Sequence, residues 1–211
     1  MAESDNLHAM GALIGVAVLS RGTGNKLGRI DDLVVDPTRG LLLGLTVQTQ
    51  DSGRQVLDYL DISSFGPDAV MANNDDSVRP LEASQLAHQP LAKQNLRGAR
   101  VVTEGGKLLG LVANVFVHLA PPPLVVYEVR ESLLDKLLGR ELFIPGSSGL
   151  ALSDNAERII VPDDTATNAA SSLDVLANRL FAAQTSPGVT VRSRRAADEE
   201  TILRADEPEQ R

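Results

Sequence analysis

The chain has no cysteine, no tryptophan, three histidines and only 3% aromatic residues in a length of 211. Each shortage closes off a class of function. Without thiols there is no thiolate nucleophile, no disulfide frame and no Cys-based zinc site, a pattern that fits a reducing compartment. The histidines His8, His88 and His118 stand far apart, and no two share one element at metal-ligand spacing. Scarce aromatics leave no platform on which bases could stack. Cations are the minority charge: 20 Lys and Arg against 28 Asp and Glu give a formal net charge of −8, which opposes nucleic-acid phosphates. Long apolar runs are also missing. The stretch from Ala9 to Leu19 is short of the roughly 20 residues a membrane-spanning helix needs. The N-terminus, Met1 to His8, lacks the basic stretch of a signal peptide. These features predict a soluble, cytoplasmic protein without cofactor or metal.

What the chain does have is a repeat. Leu13-Ile14-Gly15-Val16-Ala17-Val18-Leu19-Ser20, followed by Lys26-Leu27-Gly28-Arg29-Ile30, is echoed by Leu96-Arg97-Gly98-Ala99-Arg100-Val101-Val102-Thr103, followed by Lys107-Leu108-Leu109-Gly110-Leu111-Val112. Each copy opens with an apolar residue, a variable residue and Gly. A short β-branched run and a polar turn come next. Repeats set the fold before any single residue does.

Within the first copy, short strands alternate with turn signals. Arg21 to Asn25, Asp36-Pro37-Thr38-Arg39-Gly40, Asp51-Ser52-Gly53 and Gly66-Pro67-Asp68 are built from residues that preset or tolerate turn geometry. Many short strands at this spacing imply a sandwich or barrel. In Lys26–Val35 the apolar residues change face near Asp31-Asp32, which predicts a bulge or bend. The second copy follows the same plan with two changes. Ala120-Pro121-Pro122-Pro123 replaces the Asp-Pro turn. A leucine-rich insert, Arg130–Arg140, replaces a short hairpin. The expected fold is mainly β: two small barrels in tandem at 11–75 and 95–165, a linker at 76–94 containing Pro80 and Pro90, a helix at 168–184, and a disordered mixed-charge tail at 185–211.

The segment Leu13-Ile14-Gly15, Val18-Leu19-Ser20, Lys26 to Pro37, Gly40 and Leu43-Gly44-Leu45 resembles the PRC-barrel family, with Ile62 to Val70 resembling the end of the same module. The second copy keeps Gly98, Lys107 and Gly110. The family is named for the H subunit of photosynthetic reaction centres and also forms the C-terminal domain of a ribosome maturation factor. The resemblance implies tandem PRC-barrels acting as an adaptor or assembly factor, with no catalytic residue to carry over. Rival roles are a ribosome- or RNA-associated factor and a peripheral partner of a membrane complex such as a photosynthetic reaction centre.

The residues themselves point the same way. Asp31 and Asp32 face opposite sides of a strand, and Asp36 starts a turn, so these carboxylates read as structural. Asp75-Asp76 and Asp163-Asp164 read as loop or capping residues. No Ser sits in Gly-x-Ser-x-Gly with matching His and Asp, and Gly22, Gly24 and Gly28 lack the lysine and helix of a phosphate loop. The expected protein is therefore not an enzyme, and its partners are proteins; self-association and peripheral membrane attachment stay open. The candidate interface consists of two apolar helical faces, Leu133, Leu134, Leu137 and Leu138 in the insert and Leu173, Leu176, Leu180 and Phe181 after the second barrel; each either covers a barrel of its own chain or, finding no cover there, meets another copy or a partner. Direct RNA binding is expected to be weaker than micromolar at about 150 mM salt, which fluorescence anisotropy with ribosomal RNA fragments will check.

Overall fold

The structure, a computed structural model, describes residues 7–49, 54–130, 141–153, 157–173, 175 and 176. An N-terminal strand β1 (Leu7–Ala9) and a helical turn α1 (Met10–Leu13) precede the first unit. That unit contains β2 (Ala17–Ser20), β3 (Lys26–Asp36), β4 (Leu41–Gln48), β5 (Gln55–Asp58), β6 (Ile62–Phe65), β7 (Ala69–Ala72) and β8 (Val78–Pro80). The second contains β9 (Arg100–Thr103), β10 (Leu108–His118), β11 (Leu124–Arg130), β12 (Leu142–Pro145), β13 (Ala151–Leu152) and β14 (Arg158–Val161). The fold is mainly β, as expected.

The repeat is exact in its pairing scheme. In each unit a hairpin of two long strands forms the centre, β3 with β4 and β10 with β11. The first short strand pairs antiparallel to the long strand and parallel to a later one: β2 with β3 and β7, β9 with β10 and β14. The bulge expected near Asp31-Asp32 lies between Ile30 and Asp32, and the second unit repeats it between Val112 and Asn114. Such bulges bend a strand and let a small sheet curl. The residue after each bulge folds back on its own chain: Leu33 N–H donates to Asp32 Oδ1 at 2.7 Å, and Val115 N–H to Asn114 Oδ1 at 3.0 Å.

Turn chemistry repeats as well. Asp75 accepts from the Thr23 hydroxyl at 2.7 Å and the Asn25 amide at 3.0 Å. Asp163 accepts from the Gly105 N–H at 2.8 Å. Each carboxylate locks the turn between the first two strands of its unit. Hydrogen bonds from Ser20, Thr23 and Asn25 hold Asp75 below the usual carboxylate range, and those from Thr103 and Gly105 do the same for Asp163. In the β3–β4 turn, burial pushes Asp36 up, but hydrogen bonds from Arg39 and Thr38 outweigh it and lower its pKa.

Two expectations about domain organisation are corrected here. The units are not separate barrels. Leu41 pairs with Leu124, its counterpart in the other copy, flanked by Leu42 N–H to Pro123 O at 3.0 Å and Val125 N–H to Gly40 O at 2.8 Å. This pseudo-twofold crossing joins both units into one hydrogen-bonded sheet. One apolar core runs from Met10 and Val18 through Leu42 and Val125 to Val161. A unit of about 70 residues buries too little surface to be comfortably stable alone, and fusion of the two interiors removes that difficulty.

Nor is 76–94 a bare linker. Val78–Pro80 pairs with β5. Leu81, Leu86 and Leu91 cover Val34 and Val56 on the outer face of the first unit. Pro90 O accepts from Val35 N–H at 3.1 Å, and Leu91 bridges to Val34. The segment from Leu91 is thus the counterpart of β1 and α1, and the two exchange places: β1 pairs with β10 of the second unit, while Leu91 lies on β3 of the first. The turn that follows Leu91 holds one residue more than α1. Ile14 N–H bonds Met10 O, whereas Arg97 N–H bonds Ala92 O, so Ala92–Leu96 is a π turn, the usual mark of a single inserted residue. Buried Asp32 accepts the Lys93 and Gln94 N–H groups at the start of that turn, at 2.7 and 3.1 Å.

Packing at the crossing is tight. Gly40 has φ +64°, and a Cβ there would lie 2.1 Å from Ser147 N and 2.4 Å from Gly146 C. Gly40→Ala therefore must part the two units or distort the turn. The expected loss is about 2–4 kcal/mol, measurable by urea denaturation, with both halves melting in one lowered transition.

Candidate protein interface

One cavity lies where the two units meet at an open sheet edge. It measures about 380 Å³, with Tyr59, Leu60, Ile62, Ser63, Ser64 and Phe65 on one wall and Leu119, Ala120 and Pro121 on the other. β6 ends the sheet order and is paired on one side only, by β7. Exposed strand edges invite pairing with another chain.

The local sequence explains the shape. After β5, Tyr59–Asp61 forms a 3-10 turn. Arg79 of β8 ion-pairs with Asp58 and, at 3.2 Å, with Asp61, which clamps both ends of the turn. The Tyr59 hydroxyl donates to Leu119 O at 2.7 Å, and its ring stacks on Phe65 with centroids 6.2 Å apart. Partial burial raises the Tyr59 pKa, which keeps the phenol protonated as that donor. Leu60, clamped between the two acids, points outward and is 88% exposed. No other large apolar side chain among the described residues is as bare.

The second unit closes the equivalent place. There the turn after β12 is Gly146–Ser148, packed directly on the β3–β4 turn. A Cβ on Gly149 would lie 2.3 Å from Pro37 O, and one on Gly146 would lie 2.8 Å from Gly40 Cα. Tyr59 and Leu60 thus stand where the other copy has Gly146 and Ser147. That exchange of large apolar for small residues was the available signal for this site, and reading each copy separately passes over it.

The residues singled out from sequence fare differently. Leu176 is 2% exposed and packs with Val126, Phe143 and Ala170, with Leu173 and Phe116 alongside. Leu176 is therefore core rather than interface, with the partly buried Leu173 packed beside it; they cover the outer face of β11 and β12 as Leu81 and Leu86 cover the first unit. The expected helix at 168–184 is also interrupted. A short helix spans Thr165–Asn168, and Ala170 then bridges to Phe143 before helical geometry resumes at Leu173. Leu133, Leu134, Leu137, Leu138, Leu180, Phe181 and the tail at 185–211 lie outside the described residues.

Several carboxylates away from this cavity are engaged by neighbours. Asp31 faces Arg54 and Lys93 at 3.8 and 3.6 Å, Asp164 accepts from the Asn168 amide at 2.9 Å, and Glu128 is buried against Arg130. Among the described residues no group of three or more His, Asp or Glu side chains is placed to hold a metal ion, and no helix is long and apolar enough to cross a membrane.

Comparison with known proteins follows the same outline. The family model described as PRC-barrel domain matches residues 8–79. Residues 8–79 are a PRC-barrel domain. The match begins in β1 and ends in β8, past the boundary at 75 expected from sequence, so the family's unit includes the strand that closes the first copy. The second copy, which repeats the pairing of the matched unit, lies outside the matched range. No curated protein matches the chain.

The contrast between the two leucine sites is measurable. Leu176→Asp would place a carboxylate among Val126 and Phe143 and should cost at least about 3 kcal/mol. Leu60→Asp, on an open surface, should change stability by less than about 0.5 kcal/mol. Thermal melting of the two variants checks both values.

Proposed function

We propose that this protein is a non-catalytic adaptor or assembly factor that binds a protein partner at the β6 edge. PRC-barrel domains suit general interaction and assembly roles, and the observation that carries the reading is the juxtaposition of an unpaired strand edge, a cavity lined by apolar side chains and two serines, and Leu60. An isolated exposed leucine on a surface means little. Here it borders a concave site of mixed apolar and hydroxyl lining with backbone groups open for pairing, the combination used when an extended segment adds to a sheet and seats alternate side chains in pockets.

Photo-crosslinking in the native host tests this. A benzophenone amino acid at position 60 should capture a discrete partner. The same group at Leu150, an exposed leucine of the second unit, should not. Leu60→Asp in the full chain should abolish co-purification of that partner while leaving the melting temperature unchanged. Equal labelling at both positions, or co-purification unaffected by Leu60→Asp, would overturn the proposal.

A further inference from the structure

The outer face of the second unit carries a combination that the first lacks. Two adjacent rows of side chains run across its strands. The pairing register sets Arg158 of β14 beside Arg100 of β9, then Leu111 of β10 and Arg130 of β11. The next row is Ala151 of β13, Ile160, Val102 and Leu108. Ile159, Val101, Leu109 and Val112 alternate with these residues and face the core, and the bulge between Leu108 and Gly110 keeps Leu108 and Leu111 on one side. Arg100 and Arg158 are exposed; Leu111 is 44% and Leu108 50% exposed. The corresponding rows of the first unit are Ala69, Ala17, Arg29 and Gln48, then Met71, Leu19 and Lys26. The arginine there is tied down, donating to Gly15 O at 2.7 Å.

Neither row of the second unit holds an acid. Arg130 is held by Glu128 and Glu141, whereas Arg100 and Arg158 are in none of the ion pairs among the described residues. The other charges nearby balance. Arg97 and Glu157 line one cavity of about 440 Å³, and Glu104 and Lys107 bracket one turn. Arg100 and Arg158 remain as a local surplus in a chain whose formal net charge is −8. Like charges directly paired across strands are destabilising, so anions lying over this pair relieve a cost that the folded chain carries.

The occupant must offer anionic oxygens and apolar surface together. The rows lie in mid-sheet, where the strands on either side use the backbone pairing groups, so recognition is by side chains alone. An extended acidic segment would find no free strand edge here to hold its backbone. A nucleic acid supplies phosphates but nothing for Leu108 and Leu111, and the rows hold no aromatic ring on which a base could stack. An anionic bilayer surface supplies both partners in one plane. Guanidinium groups pair with phosphates through forked hydrogen bonds, and aliphatic side chains enter the interfacial layer beside them. We infer that this face docks on an anionic lipid surface, with Arg100 and Arg158 at the lipid phosphates and Leu108 and Leu111 in the interfacial layer. The β6 edge belongs to the first unit and stays available for its protein partner.

Sedimentation of the full chain with lipid vesicles tests this. Vesicles of equal parts phosphatidylcholine and phosphatidylglycerol should carry down at least about fivefold more protein than pure phosphatidylcholine at about 100 mM salt, and about 500 mM salt should remove the difference. Arg100→Gln with Arg158→Gln should lower the bound fraction at least about fivefold with the melting temperature preserved or raised, since the like-charge contact is gone. Lys26→Gln with Arg39→Gln removes the same charge elsewhere and should leave binding within about twofold. The chain has no tryptophan, so Leu108→Trp is a sole reporter on this face; its emission should shift to the blue by about 10 nm with anionic vesicles and stay unshifted with neutral ones. The inference is overturned by equal sedimentation with both vesicle types, by binding indifferent to the Arg100 and Arg158 changes, by an equal loss in the Lys26 and Arg39 variant, or by unshifted Leu108→Trp emission. Displacement from vesicles by soluble glycerol phosphate at about 10 mM would make a free phosphate the ligand, and retention on polyglutamate without vesicle binding would make it an acidic protein; either result overturns the inference as well.

Discussion

The short crossing of β4 and β11 sets the terms for everything else in this molecule. Two backbone hydrogen bonds about the Leu41–Leu124 pair bring the β3–β4 turn of one unit against the turn after β12 in the other, and only glycine fits at the contact. Because each copy presents the same strand end to its counterpart, the two interiors open into each other and a single core results. Two marginal barrels become one body of ordinary size. The interface cavity is a by-product of the same geometry. The pseudo-dyad places Tyr59 against the β10–β11 loop just where it places Gly146 against the β3–β4 turn, and a bulky ring in one of two equivalent seats props that seat open.

Much of the fold was legible in the sequence because its signals are local. Gly15 and Gly98 both adopt positive φ before the first short strand of each unit, as the matched openings of the repeat suggested. The Asp36-Pro37 turn and the bulge at Asp31 were visible in residue type and in the change of apolar face. The linker was misread because β8 has only three residues, Val78-Arg79-Pro80, one of them proline; it is a strand through its pairing to β5 and shows no period of its own. Leu173 and Leu176 were read correctly as apolar and helical. Helical spacing identifies an apolar face, but what covers that face is a tertiary fact, here Phe116, Val126 and Phe143.

The candidate interface was illegible for a related reason. Leu60 sits between Tyr59 and Asp61 with no periodic pattern around it, and its exposure comes from Arg79 gripping the acids on both sides across a sheet. The two units have also diverged in opposite directions. The first spends its difference at a sheet edge, with Tyr59 and Leu60. The second spends it on a sheet face, with Arg100, Arg158 and two leucines. Duplication thus yields one scaffold with two unlike surfaces, each held in place by a copy that does not carry it.

The exchanged arms bear on how the chain is made. Leu7–Ala9 pairs with Phe116–His118, so this strand cannot dock until β10 of the second unit has been synthesised. Chains are extended at about 5–20 residues per second, which leaves that edge of the nascent chain without its native neighbour for several seconds. The first unit can collapse during this interval, but the last unit made must arrive before the first strand can dock.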